Sequence, residues 1–145
     1  MRRAQRFYGS PGKWTETLVM MVALLLMSSL ATAQQTLFVG TSQPAGLTVS
    51  MQSELAPLAL NEMHAWTIEL STREGEAVTG SSVTLDGGMP EHDHGLPTRP
   101  QVVETDQPGR YRAEGVRFHM GGDWRLNLEV MHEGRRYRFS FALTL

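Results

Sequence analysis

The chain of 145 residues contains no cysteine. No disulfide can brace it, no cysteine nucleophile is available, and lipid attachment through an N-terminal cysteine is excluded. An ordinary apolar core must therefore hold the fold. Enzyme signatures are missing as well. The chain has no Gly-x-Ser-x-Gly elbow, no His-Glu-x-x-His pair and no glycine loop leading into a helix. The expectation is a protein that is not an enzyme. Helical spacing is scarce too. Beyond Ala33 the only short candidate is Glu54–Met63, and Pro57 interrupts it. Lysine occurs only at position 13.

What is present begins with a basic N-terminus. Arg2, Arg3, Arg6 and Lys13 precede an apolar run, Leu18 to Ala33, that closes on Ala31-Thr32-Ala33. The run falls short of the ~20 residues of a spanning helix, and its small closing residues suit signal cleavage. Residues 1–33 thus read as a signal peptide cut before Gln34, with an uncleaved inner-membrane anchor as the alternative. The expected location is the periplasm. Cleavage leaves 112 residues, a usual single-domain size. The leader takes away four basic residues and Glu16, so nine arginines remain against fourteen acids, a net charge of −5 with neutral histidines. Nucleic acid calls for a basic footprint and is not expected as a partner. The balance mildly favours cations.

After an expected extended arm, residues 34–45, the dominant period is two, the mark of strands. Leu47, Val49 and Met51 alternate with polar neighbours, as do Trp66, Ile68 and Leu70. Val83 with Leu85, and Val102 with Val103, mark two short runs. Tyr111, Ala113, Val116 and Phe118 form a fifth, with a bulge expected at Gly115. Trp124, Leu126, Leu128 and Val130 make the sixth, and Tyr137, Phe139, Phe141 and Leu143 the seventh. Pro108-Gly109 suits the middle of a type II turn, and His132-Glu133-Gly134-Arg135 a tight hairpin. Seven half-buried strands over residues 46–145 predict an all-β, immunoglobulin-like antiparallel sandwich. Arg110, Arg112, Arg125, Arg136 and Arg138 are expected on its solvated faces, with Glu114 and Glu129 as partners.

Parity then groups the loops. In such a sandwich the connections after the first, third and fifth strands share one end. The first of these holds Met63 and His64, the second Met89, His92 and His94, and the third His119 and Met120. Of the five histidines, only His132 falls at the other end. Imidazole and thioether together suit copper, since thioether favours Cu(I) and imidazole serves both oxidation states. The expected ligands are His92, His94 and His119, with Met89 and Met120 assisting. Side chains two apart share a face of an extended chain, which would align His92 with His94, while Glu91 and Asp93 would orient the rings. Zinc is the second choice, because it gains little from methionine. His64 reads as a satisfied histidine at the core edge. A cupin also uses His-x-His, but its flanking glycine and glutamate are replaced here by Asp86, Thr98 and Arg99.

The stretches "GGMPEHDHGLPTRP" and "GRYRAEGVRFHMGGDWRLNLEV" resemble the FixH/YtkA-like periplasmic domain family. The matching positions are Met89, Pro90, His92, His94 and Gly95, then Phe118, Met120, Gly122 and Trp124. The resemblance spans roughly residues 46 to 144. It departs at Gly121, where the family often has proline, and in the cleavable leader, where FixH proteins keep an anchor. It implies a small exported or anchored immunoglobulin-like domain associated with copper handling and with the assembly of copper-containing respiratory oxidases. Some relatives carry an auxin-binding label, which no residue here supports. The expected function is a periplasmic copper carrier or buffer whose partner is a membrane or periplasmic copper protein. The alternative is a metal-free module that docks on a membrane complex through the end bearing residues 87–100.

Overall fold

Alternation along each strand decides the layers. The computed structural model describes residues 35–145; the expected signal peptide lies outside them. Nine strands follow in order: β1 Leu37–Thr41, β2 Leu47–Ser53, β3 His64–Thr72, β4 Ser82–Met89, β5 His94–Gly95, β6 Gln101–Glu104, β7 Arg110–Val116, β8 Asp123–His132 and β9 Arg135–Thr144. They form two antiparallel sheets, ordered β1-β2-β3-β7-β6 and β5-β4-β8-β9. The fold is an all-β sandwich, as the period-two pattern predicts. Leu47, Val49 and Met51 of β2 face inward, and so do Trp124, Leu126, Leu128 and Val130 of β8. Trp66, Ile68, Tyr111, Phe118 and Phe139 complete the packing between them. Removing these side chains from water is the main stabilising term.

The turn chemistry behaves as the sequence suggests. Gly109 has φ 74 and follows Pro108, and the Arg110 amide closes the turn on the Gln107 carbonyl at 3.0 Å. Glu133 and Gly134 have φ 48 and 74, which makes the β8–β9 connection a two-residue turn of the mirror-image type that matches strand twist. Gly115, φ 84, lies where the β3–β7 register shifts, so the expected bulge is real.

Two strands exceed the seven expected. The segment read as an extended arm contributes β1, which pairs with β2 from Leu37↔Gln52 to Thr41↔Thr48. Phe38 is its inward anchor, stacked on Trp66 at 5.7 Å and on Phe141 at 5.1 Å. The other addition, β5, is only two residues long and belongs to the candidate site.

Tyr111 fixes the connection between β3 and β4. Its buried hydroxyl donates to the Val78 carbonyl at 3.0 Å and accepts from the Ser81 amide at 3.2 Å. Replacing Tyr111 by Phe leaves both groups short of a partner. The expected loss is about 1–3 kcal/mol of stability, read by urea denaturation.

The outer faces are charged. Arg110 pairs with Glu69 at 2.6 Å, Arg112 with both Glu54 and Glu114, and Arg136 and Arg138 with Glu129. The hydrogen bond from Arg112 holds the Glu54 carboxyl below its ordinary range. These pairs are exposed, and each contributes little to stability.

Candidate metal centre

The loops that parity assigns to one end do meet there. The Asn61 amide, between β2 and β3, donates to the Phe118 carbonyl, between β7 and β8, at 2.7 Å. The β4–β5 hairpin joins them through His94 and His119, whose ring centroids are 6.3 Å apart. His132 bonds Ser81 instead, its Nδ1 lying 2.9 Å from the hydroxyl oxygen.

The hairpin is tighter than an extended loop, and this corrects the reason for pairing His92 with His94. Met89 pairs with His94 across the ladder, and the chain reverses over the four residues between them. The His92 amide donates to the Met89 carbonyl at 3.1 Å, and Asp93 takes φ 51, which aspartate tolerates better than most residues. A left-handed residue breaks the simple two-residue alternation. The imidazoles nevertheless lie near each other, centroids 6.4 Å apart and planes 21° from parallel. Both are exposed.

Glycines allow this hairpin to lie against β4. A Cβ on Gly88 would stand 3.0 Å from the His94 carbonyl oxygen, which is backbone and has little room to yield. Gly88→Val is expected to cost about 1–3 kcal/mol and to shift the amide resonances of residues 92–95. Thermal melts and NMR spectra check both effects.

His119 reaches the site from the opposite sheet connection. Phe118 before it is fully buried and meets Trp124 edge-to-face at 5.2 Å. The His119 ring also meets Trp124, at 5.6 Å and 77°. Trp124 Nε1 donates to the Met120 carbonyl at 3.0 Å, pinning the segment a second time. The His119 Nδ1 is buried with no hydrogen-bond partner among the described residues. A buried polar atom without a partner is costly, and a bound cation is one way to satisfy it.

The two methionines part company. Met120 keeps its side chain at the rim, 39% exposed. Met89 is only 2% exposed and packs in the core, its Cε 2.9 Å from where a Cβ on Gly122 would stand. Gly122 has φ 121 and must remain glycine for both reasons. Met89 thus supports the hairpin from beneath, while His94 lies near both His92 and His119. His64 opens β3 as a buried side chain. Its Nδ1 lies 3.0 Å from the Glu62 carbonyl oxygen, but Nε2 has no partner among the described residues. The expectation of a fully satisfied ring is met at one nitrogen only. Trp124, which the strand alternation places in the core, is also the floor under His119.

Among the described residues, no three His, Cys, Asp or Glu side chains already form a metal-holding group. The spacing says how far they are from one. With metal–nitrogen bonds of about 2.0 Å, imidazole centroids around one tetrahedral ion lie about 5 Å apart. His94 is 6.4 Å from His92 and 6.3 Å from His119. Closure by roughly 1 Å at either gap, through the exposed hairpin and its side-chain rotamers, would bring His94 within reach of an ion shared with that neighbour. The residue types present fit a nitrogen-rich metal site.

The model for YtkA-like proteins matches residues 41–129, well over half of the chain. The protein belongs to the YtkA-like family. Among curated proteins and solved structures, none matches it. Within this YtkA-like domain, the family match covers the β4–β5 hairpin and the β7–β8 segment, and so all three clustered histidines.

Proposed function

We propose that this YtkA-like domain is an exported copper-binding protein, a carrier or buffer that holds the ion at the exposed end of its sandwich. His92, His94 and His119 would bind the ion through imidazole nitrogen, with the Met120 thioether as a soft auxiliary donor suited to Cu(I). Met89 acts from the core by seating the hairpin. The observation that carries the reading is the position of His94, its ring centroid within 6.4 Å of those of both His92 and His119 although His119 is 25 residues further along the chain. Ligands on an exposed rim suit exchange, since an incoming protein can replace them one at a time. Export to the periplasm, by cleavage after Ala33 or as an anchored protein, is supported by the basic N-terminus and the apolar run behind it. A role in assembling a copper enzyme follows from the same reading, with a membrane or periplasmic copper protein as the receiving partner.

Equilibrium titration of the full chain with Cu(I), Cu(II) and Zn(II) tests this directly. Saturation by copper at one equivalent, tighter than by zinc, is the expected result. Absence of saturable copper binding would overturn the proposal. A second reading, a metal-free docking module, draws on the apolar side chains at this end. Leu60, Met63 and Met120 are 44%, 60% and 39% exposed. Capture of a membrane complex by metal-depleted protein, undiminished when both hairpin histidines are replaced, would favour it.

A further inference from the structure

Arg125, on the outer face of the four-stranded sheet, is the exception among its arginines. Arg136 and Arg138 close on Glu129 at 3.3 and 3.4 Å, and Arg135 lies over the Tyr137 ring at 5.5 Å. Arg125 has no carboxylate within 4.0 Å among the described residues. The register gives the reason. Its cross-strand neighbours are Gly88 on β4 and Ala142 on β9, neither of which has a side chain to meet a guanidinium. On the Gly88 side a cleft of about 390 Å³ opens, lined by Gly88, Asp93, His94, Gly95, Arg125 and Asn127 among others.

The acids of the neighbouring strands lie outside this cleft's lining and are already engaged. The Asp86 carboxylate accepts from the Gly87 amide at 2.7 Å, and Asp123 accepts from the Thr144 hydroxyl at 2.6 Å. The Asp93 carboxylate makes no hydrogen bond among the described residues. Ser140 Oγ lies 3.0 Å from Asn127 Oδ1, an arrangement that leaves the Asn127 amide N–H groups as donors. Gly88 and Gly95 bring bare backbone to the floor. One cation, one anion, one amide donor and the His94 imidazole thus line a single open cleft.

The geometry points to a binding site for the zwitterionic end of a free α-amino acid. Its carboxylate meets the Arg125 guanidinium fork and the Asn127 amide, and its ammonium meets Asp93. A simple carboxylate would face the charge of Asp93, and a simple amine would face that of Arg125; the zwitterion satisfies both. The cleft is open, so the ligand's own side chain extends toward solvent and selects little.

Glycine titrated into the metal-free, ¹⁵N-labelled full chain tests the site, with acetate and ethylamine as controls. Saturable shifts at the Gly88 and Gly95 amides and the Arg125 side chain are expected, with glycine bound at least about tenfold more tightly than either control, the equivalent of one charge-assisted contact. Arg125→Gln and Asp93→Asn are each expected to weaken glycine about tenfold while the remaining spectrum is kept, because both side chains are exposed. Equal binding of acetate, indifference to Asp93→Asn, or no saturable shift would overturn the inference. No metal enters this experiment, so its failure is separate from failure of the copper reading.

Discussion

Replacing His92 and His94 together by alanine is expected to weaken copper binding by well over a hundredfold and to leave the fold intact. Loss of a group that merely orients a metal ligand costs about 10–100-fold, and here two ligands go at once. Both side chains are exposed on the hairpin tip, so no core contact is lost. Competition against a copper chelator measures the affinity, and thermal melts serve as the structural control. His119→Ala is expected to weaken binding too, since its ring lies 6.3 Å from that of His94. If the double variant binds copper as well as the parent does, the ion is held elsewhere and the histidine site is wrong.

Trp124→Ala is expected to produce the largest loss of stability, about 3–5 kcal/mol. Trp124 is 2% exposed, packs edge-to-face with Phe118 and His119, and bonds the Met120 carbonyl. Alanine leaves a cavity between the sheets and frees the segment carrying His119. Trp124→Phe separates the two roles. It retains most of the apolar volume but removes the N–H donor, for an expected cost of about 1 kcal/mol. Urea denaturation orders the three proteins. In the copper reading the Trp124→Ala protein also binds the ion more weakly, because His119 is no longer held by the ring beneath it. A Trp124→Ala protein as stable as the parent would show that this tryptophan is not part of the packed core.

Much of this fold was legible because a strand exposes its logic at every second residue. Trp124 to Val130 alternates without a break, and its four apolar side chains all face inward. Turn residues worked in the same local way, since Gly109, Gly115 and Gly134 each supply a positive φ where the chain turns or bulges. β1 was harder to read. Its outward residues Leu37 and Val39 are themselves apolar, 55% and 72% exposed, so the polar half of the alternation was missing. β5 is two residues long and carries no period at all. It exists because Gly88 lets the chain fold back upon β4.

The chain's composition and spacing alone determined an antiparallel β-sandwich, the sharing of one end by three separated loops, and the donor types available there. Those are consequences of local periodicity and of strand parity, which need no coordinates. Tertiary structure decided where each of these side chains lies. It withdrew Met89 into the core, left Met120 at the rim, brought His119 within 6.3 Å of His94, and placed Arg125 between glycine and alanine. Such outcomes depend on which side chains compete for the same buried space and on register between strands distant in sequence, and neither quantity is written in any short stretch of the chain.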